Sequence, residues 1–287
     1  MKEKEPLFSV LIANYNNGRY LQEAIDSVLA QTYTHWEVII VDDGSTDNSQ
    51  EIYGHYATNP RFHIFYNEKN MGCAYTKHQC MLHAGGEFCG YLDPDDALLP
   101  NALSVIADLL AEGDDVALAF SRYYICDEFL NPIKESRPLV IPQGKTYFTN
   151  HDYRAEVFSG FRREAYFRMG GLDTSLKAGV DADLYFRLEE VGKLAISHEI
   201  TYKYRIFSTS ITANWTNAFY WNLILRHNTC IRRGLPVEQY SLRDFLIFIS
   251  FSHWDTRPYR IGKLLTRPST YLGYLKRKRK IKREKLP

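Results

Sequence analysis

The feature that most constrains this chain is an alternation, through its first 120 residues, of short apolar runs with segments of helical period. Residues 8–13 are apolar apart from Ser9. In residues 20–30, Tyr20, Leu21, Ala24, Ile25, Val28 and Leu29 form one stripe, and residues 36–41 are apolar again apart from Glu37. The pattern continues with a helix over 47–56, a strand over 62–66, a helix over 74–83, a strand over 87–92, a helix over 100–111 and a strand over 116–120. Runs such as Val38-Ile-Ile-Val41 have no polar face, so they predict parallel strands covered on both sides. The expected class is α/β, a mostly parallel, Rossmann-like sheet with helices on both faces. Beyond residue 121 the pattern weakens to a hairpin through 128–132 and an irregular stretch holding Pro138, Pro142 and Gly144. Helical period returns at 163–169, 181–191, 216–233 and 239–252.

At 287 residues with 45% hydrophobic content, disorder is excluded and one large domain or two small ones are expected. The net charge of +1 hides a division. Residues 1–256 carry 23 Lys/Arg against 33 Asp/Glu, whereas residues 257–287 carry 12 against Glu284 alone. Five cysteines without a C-x-x-C pair do not make a disulfide framework and suit a reducing compartment. The opening MKEKEPLF lacks the apolar run of a signal peptide, and residues 245–251 are far too short to span a bilayer. A cytoplasmic protein is expected.

In parallel α/β sheets ligands bind beyond the carboxyl ends of the strands. There the sequence reads Asn14-Tyr15-Asn16 after the first run, Asp42-Asp43-Gly44-Ser45-Thr46-Asp47 after the second and Asp93-Pro94-Asp95-Asp96 after the fourth. Asp42, Asp43, Asp93, Asp95 and Asp96 therefore gather on one edge, where repulsion requires a cation or hydrogen-bond donors. Ser45 or Asp47 could equally serve as a helix cap, with Gly44 turning the chain. The D-x-D-D spacing puts alternate carboxylates on one side, which suits a hard divalent cation shared with phosphate oxygens. No G-x-G-x-x-G, P-loop, H-E-x-x-H or G-x-S-x-G motif occurs. A metal held between carboxylates and a substrate diphosphate remains.

Five segments in order, Ser9-Val-Leu-Ile-Ala-Asn-Tyr-Asn16, LQEAIDSVLAQT from Leu21, Glu37 to Asp47, Asn70-Met-Gly72 and Tyr91 to Asp96, resemble the inverting GT-A glycosyltransferases of family 2, which build bacterial surface polysaccharides. The resemblance runs from about residue 7 to residue 207. It implies a nucleotide-sugar site, for a UDP-sugar first of all, that includes Ala13, Tyr15 against the base, Asp43 accepting its ring N–H, Asp42 close by, and Lys77 near the nucleotide. It implies Mn²⁺ or Mg²⁺ at Asp95, with Asp93 beside the metal and the ribose. Gly179-Val-Asp-Ala-Asp-Leu-Tyr-Phe-Arg-Leu188 is similar to the family's segment that carries the catalytic base, which makes Asp181 that base. On spacing alone, Asp181 reads as a helix cap. Asp183 and Arg187 suit an (i, i+4) pair. Val180 and Phe207 depart from the pattern, standing where relatives carry an acidic residue and a His.

The expected organisation is a catalytic domain over 1–215, with its nucleotide-sugar part to about 120 and its acceptor part from 121, a helical extension over 216–256 and a basic tail over 257–287. The expected activity is sugar transfer from a nucleotide-diphosphate donor to a saccharide or lipid-linked acceptor. Two alternatives stand beside it. A haloacid-dehalogenase-type phosphohydrolase shares the D-x-D after a strand, although its nucleophile usually follows the first strand. A nucleic-acid-binding protein would act through the seven Lys/Arg among residues 276–283, against which the acidic body argues. Apolar residues Leu242, Phe245, Leu246, Phe248 and Ile249 followed by that cluster also match an interfacial contact with the inner face of the cell membrane. No nucleic-acid partner is expected.

Overall fold

The computed structural model describes residues 5–150, 158–207 and 215–242. The chain divides into two compact units, Met1–Trp221 and Asn222–Pro287.

The first unit opens with β1 (Phe8–Asn14), α1 (Gly18–Leu29), β2 (Trp36–Asp42), α2 (Ser49–Tyr56), β3 (Phe62–Tyr66), α3 (Cys73–His83) and β4 (Phe88–Tyr91). These strands lie in the order β3-β2-β1-β4 and every pairing among them is parallel, as two-faced apolar runs require. Val10, Ile12, Val38 and Ile40 face one way and are buried with Leu21, Ile25 and Val28 of α1 and Leu103 and Ile106 of α4 (Ala102–Ala111). Leu11 and Ile39 face the other way and are equally buried, with Ala74, Cys80 and Met81 of α3 packed over that side.

The rest of the sheet is mixed. β5 (Ala97–Leu98), β6 (Val116–Cys126), β7 (Pro132–Glu135), β8 (Ser159–Arg162) and β9 (Lys193–Arg205) complete the path β4-β8-β6-β9-β5, with β7 paired to β6. β8 is antiparallel to both β4 and β6, and β9 runs parallel to β6. The strand predicted over 116–120 thus belongs to the sheet, but β8 stands between it and β4. Gly160 makes that insertion feasible: a Cβ there would lie 2.1 Å from Cγ2 of Ile106 on α4. The expected hairpin forms between β6 and β7, with Leu130 at φ 60° in its turn. α5 (Arg163–Arg168) and α6 (Val180–Glu189) fall within two residues of their predicted ends.

α7 (Trp215–Arg233), which belongs to the second unit from Asn222 onward, matches the predicted 216–233 and is followed by a π-helical turn at Glu238–Leu242. Gly234 takes φ 62° just past its end, and Leu235 N–H reaches back to the Cys230 carbonyl at 2.9 Å, the ordinary way a helix closes its last carbonyls. Among the described residues no helix is long and apolar enough to cross a membrane. Most of the predicted 239–252 helix and all of the basic tail lie outside the described residues.

Candidate active site

Parallel pairing places the carboxyl ends of β1 to β4 on one edge, and register makes Asn14, Asp42 and Tyr66 lateral neighbours. Asn14 is fully buried. Its amide donates to Tyr53 Oη at 2.7 Å and Ser49 Oγ at 3.0 Å. Tyr53 donates in turn to Asp42 Oδ2 at 2.7 Å, and the other Asp42 oxygen accepts Ser45 N–H at 2.7 Å. Burial and then the hydrogen bond to Asp42 drive the Tyr53 hydroxyl far above its usual range, so it keeps its proton and donates. Asp42, 1% exposed, is therefore a strut behind the site, holding the loop that carries Asp43. Tyr53→Phe removes the shared hydroxyl from two buried groups. A loss of about 1–3 kcal/mol in denaturant unfolding is expected.

Asp47 resolves the cap question on its own segment. It accepts Gly18 N–H at 2.7 Å, and Ser49 N–H and Oγ at 3.1 and 2.6 Å, so one carboxylate ties the starts of α1 and α2. Burial alone would raise its pKa, but the Ser49 and Gly18 hydrogen bonds hold it below the usual carboxylate value. Asp43 has a different set of partners: Asn67 Nδ2 and Met71 N–H at 2.8 Å on Oδ1, and Gly72 N–H at 2.9 Å on Oδ2. Three donors leave a carboxylate one further lone-pair direction. Gly44 at φ 78° and Gly72 at φ 97° permit these turns, and at Gly44 a Cβ would meet the Lys69 backbone at 3.0 Å. Tyr15 is 44% exposed and Tyr66 is 58% exposed, while Ala13 is partly buried at the end of β1.

Lys77, on α3, is the buried centre of the acidic edge. Its ammonium lies 2.7 Å from Asp181 Oδ1 and 3.2 Å from Asp93 Oδ1, with the Tyr91 ring 5.0 Å away. Burial works against its charge, but Asp181 and Asp93 more than offset this and raise its pKa well above the ordinary lysine value. The resemblance put Lys77 by the nucleotide; its observed partners are carboxylates from two distant segments. Asp181 sits in the first turn of α6, after Gly179, and its side chain turns to Lys77 with no capping hydrogen bond. Asp183 and Arg187 form the expected pair at 2.8 Å.

The D-x-D-D segment splits by role. Asp96 is 1% exposed and accepts Tyr202 Oη at 2.8 Å and Arg205 N–H at 2.7 Å. Burial, then Asp95 and Asp93, raise its pKa well above the carboxylate range. Asp95 is pushed up to about 6 by burial and then by the nearby Asp93, which outweigh the opposing pull of Arg205 and Lys77. Among the described residues no three His, Cys, Asp or Glu side chains converge into a ready-made metal cage. Asp93 and Asp95 are two carboxylates two residues apart, the kind of partial donor set that a Mg²⁺- or Mn²⁺-type ion takes together with substrate phosphates. That donor set fits the ion.

The family model for glycosyl transferase family 2 matches residues 9–169. The chain belongs to that family. The match covers β1 to α5, including every acidic segment of the sheet edge except the one with Asp181. Among the relatives is TuaG of Bacillus subtilis, provisionally named a teichuronic acid biosynthesis glycosyltransferase. It is 32% identical over 148 residues, which are 51% of this chain and 58% of TuaG, so the match spans less than two thirds of that relative. The fold matches S. aureus TarS 1-349, solved in complex with UDP-GlcNAc, at a TM-score of 0.67 and 16% identity, covering 88% of this chain and 75% of that one. It also matches the mannosyltransferase PcManGT from Pyrobaculum calidifontis, solved with GDP-Man and Mn²⁺, at a TM-score of 0.57 and 15% identity over 95% and 84% of the two chains. The GT-A class is thereby established, and the family replaces the phosphohydrolase alternative.

Sequence reading missed the partners that organise these carboxylates: Asn14 with Tyr53, Asn67 on Asp43, and Tyr202 and Arg205 on Asp96. Only the position of Asn14, a polar residue ending an apolar run, carried a local signal.

Proposed function

We propose that this protein is a divalent-metal-dependent, inverting glycosyltransferase that moves a sugar from a UDP-sugar to a saccharide or lipid-linked saccharide in cell-surface polysaccharide synthesis. The observation that carries the reading is the buried ammonium of Lys77 between Asp93 and Asp181, residues far apart in sequence. It sets a candidate base beside a candidate metal ligand. The nucleotide-bound and Mn²⁺-bound structures of fold relatives and the teichuronic acid role in TuaG's name support it.

In this mechanism Tyr15 packs on the base, Asp43 takes the ring N–H with its remaining acceptor direction, and Ala13 lines the slot. Asp93 and Asp95 hold Mn²⁺ or Mg²⁺, which when bound supplies charge neutralisation for the donor diphosphate. Lys77 occupies Oδ1 of Asp181 and leaves Oδ2 to accept the proton of the acceptor hydroxyl. The acceptor oxygen then bonds to the anomeric carbon as the bond to the diphosphate oxygen breaks. The configuration inverts, the proton stays on Asp181 and the nucleoside diphosphate leaves.

The catalytic part is assigned to residues 1–215, with acceptor contacts from 121 onward; the extension over 216–256 lies outside the described residues beyond 242, as does the whole basic tail over 257–287, which is assigned as a contact to the inner membrane face. A screen of UDP- and GDP-sugars for nucleoside diphosphate release, with and without Mn²⁺, tests the reading. Release from a UDP-sugar that requires the metal is expected. No metal-stimulated release from any donor overturns it.

A further inference from the structure

The acidic turn is held from behind by one residue that no motif singles out. Arg205 ends β9 and its side chain is 1% exposed. Its backbone N–H donates to Asp96 Oδ1 at 2.7 Å, and its Nε donates to the carbonyl of Asp95 at 2.6 Å. The remaining guanidinium nitrogens donate to the Glu128 carbonyl in the β6–β7 turn and, at 2.5 Å, to Glu23 Oε2 on α1. The guanidinium lies 4.3 Å from the Tyr20 ring centroid, and Tyr20 stacks on Phe207 at 5.8 Å and 22°. One fork thus joins β9, α1 and the hairpin to the peptide that carries Asp95. A planar guanidinium can hold that many acceptors in fixed directions; a lysine ammonium cannot.

We infer that Arg205 is the positioning residue of the metal site: by fixing the Asp95 carbonyl and Asp96, it sets the direction in which the Asp95 and Asp93 carboxylates leave the turn. The inference rests on the proposed role of those two carboxylates as metal ligands. Groups that orient ligands typically contribute about 10- to 100-fold to metal affinity without touching the ion. Phe207 belongs to the same assembly through Tyr20 and contributes ring stacking there.

The test is calorimetry of UDP and GDP binding to the full chain, each with and without Mn²⁺, for wild type, Arg205→Met, Arg205→Lys, Glu23→Ala and Asp95→Ala. The readout is the gain in affinity that Mn²⁺ confers. Arg205→Met is expected to lower that gain by about 10- to 100-fold, with metal-free nucleotide affinity unchanged and with Arg205→Lys recovering only part. Glu23→Ala, which removes a half-exposed anchor and leaves the core intact, should lower the gain in the same direction and decides the matter if Arg205→Met does not fold. An unchanged gain in the Arg205 and Glu23 variants alongside its loss in Asp95→Ala overturns the inference alone. So does an equal fall in metal-free affinity, which marks a general structural defect. Absence of any Mn²⁺ gain in wild type, or its persistence in Asp95→Ala, overturns the metal reading and this inference with it.

Discussion

Asp181→Asn is expected to lower turnover by about 10²- to 10⁴-fold while leaving donor binding nearly intact, because that range is what a positioned general base typically contributes. The substitution keeps the size of the side chain and removes the ability to take a proton. It also removes one of the two carboxylates on the buried Lys77 ammonium. Asp93, 3.2 Å from the same nitrogen, remains, so the lysine is not left as an uncompensated buried charge. A thermal unfolding curve close to wild type is therefore expected alongside the kinetic loss. Steady-state measurement of nucleoside diphosphate release separates the quantities. Unchanged turnover would remove Asp181 from the base role.

Asp95→Ala is expected to erase the Mn²⁺ dependence of nucleotide binding, a loss exceeding the roughly 100-fold upper figure for residues that only orient ligands. The electrostatic cause lies in the surroundings of the carboxyl group. Burial, with Asp93 adjacent, pushes the Asp95 carboxyl up to about 6 from 3.8. Folded Asp95 thus keeps its proton to a higher pH than the unfolded chain does, and its ionisation reduces stability as pH rises from 3.8 through about 6. A divalent cation reverses that cost and must displace the proton to bind, so metal-dependent binding should weaken as pH falls through about 6. Calorimetry across that range checks the sign. The same nucleotide affinity with and without Mn²⁺ at every pH in wild type, or an undiminished Mn²⁺ effect in Asp95→Ala, would contradict the assignment.

The parallel half of the sheet was legible because its code is local. Val38-Ile-Ile-Val41 has no polar face, and α1 carries a single apolar stripe, so period and composition suffice. β8 and β9 were not legible. Ser159–Arg162 is only four residues long, and Lys193–Arg205 mixes charged, polar and aromatic residues; each becomes a strand through pairing with β4 or β6. Strands of that kind are specified by partners, not by their own propensity. The acidic segments were found by their place after apolar runs, but their division of labour was not. Asp42, Asp43, Asp47 and Asp96 are the same residue type, yet the first and last are buried struts, Asp47 ties two helices, and Asp43 is held by Asn67 and two backbone N–H groups.

By itself the sequence determined the α/β class, the edge on which the carboxylates gather and the family to which the chain belongs, since each depends on order and spacing along the chain. Only the tertiary structure decided that Lys77 joins Asp93 to Asp181 and that Arg205 grips the peptide of Asp95. Such contacts close over long separations in sequence, and whether two charges meet at hydrogen-bond distance is set by how the intervening sheet and helices pack.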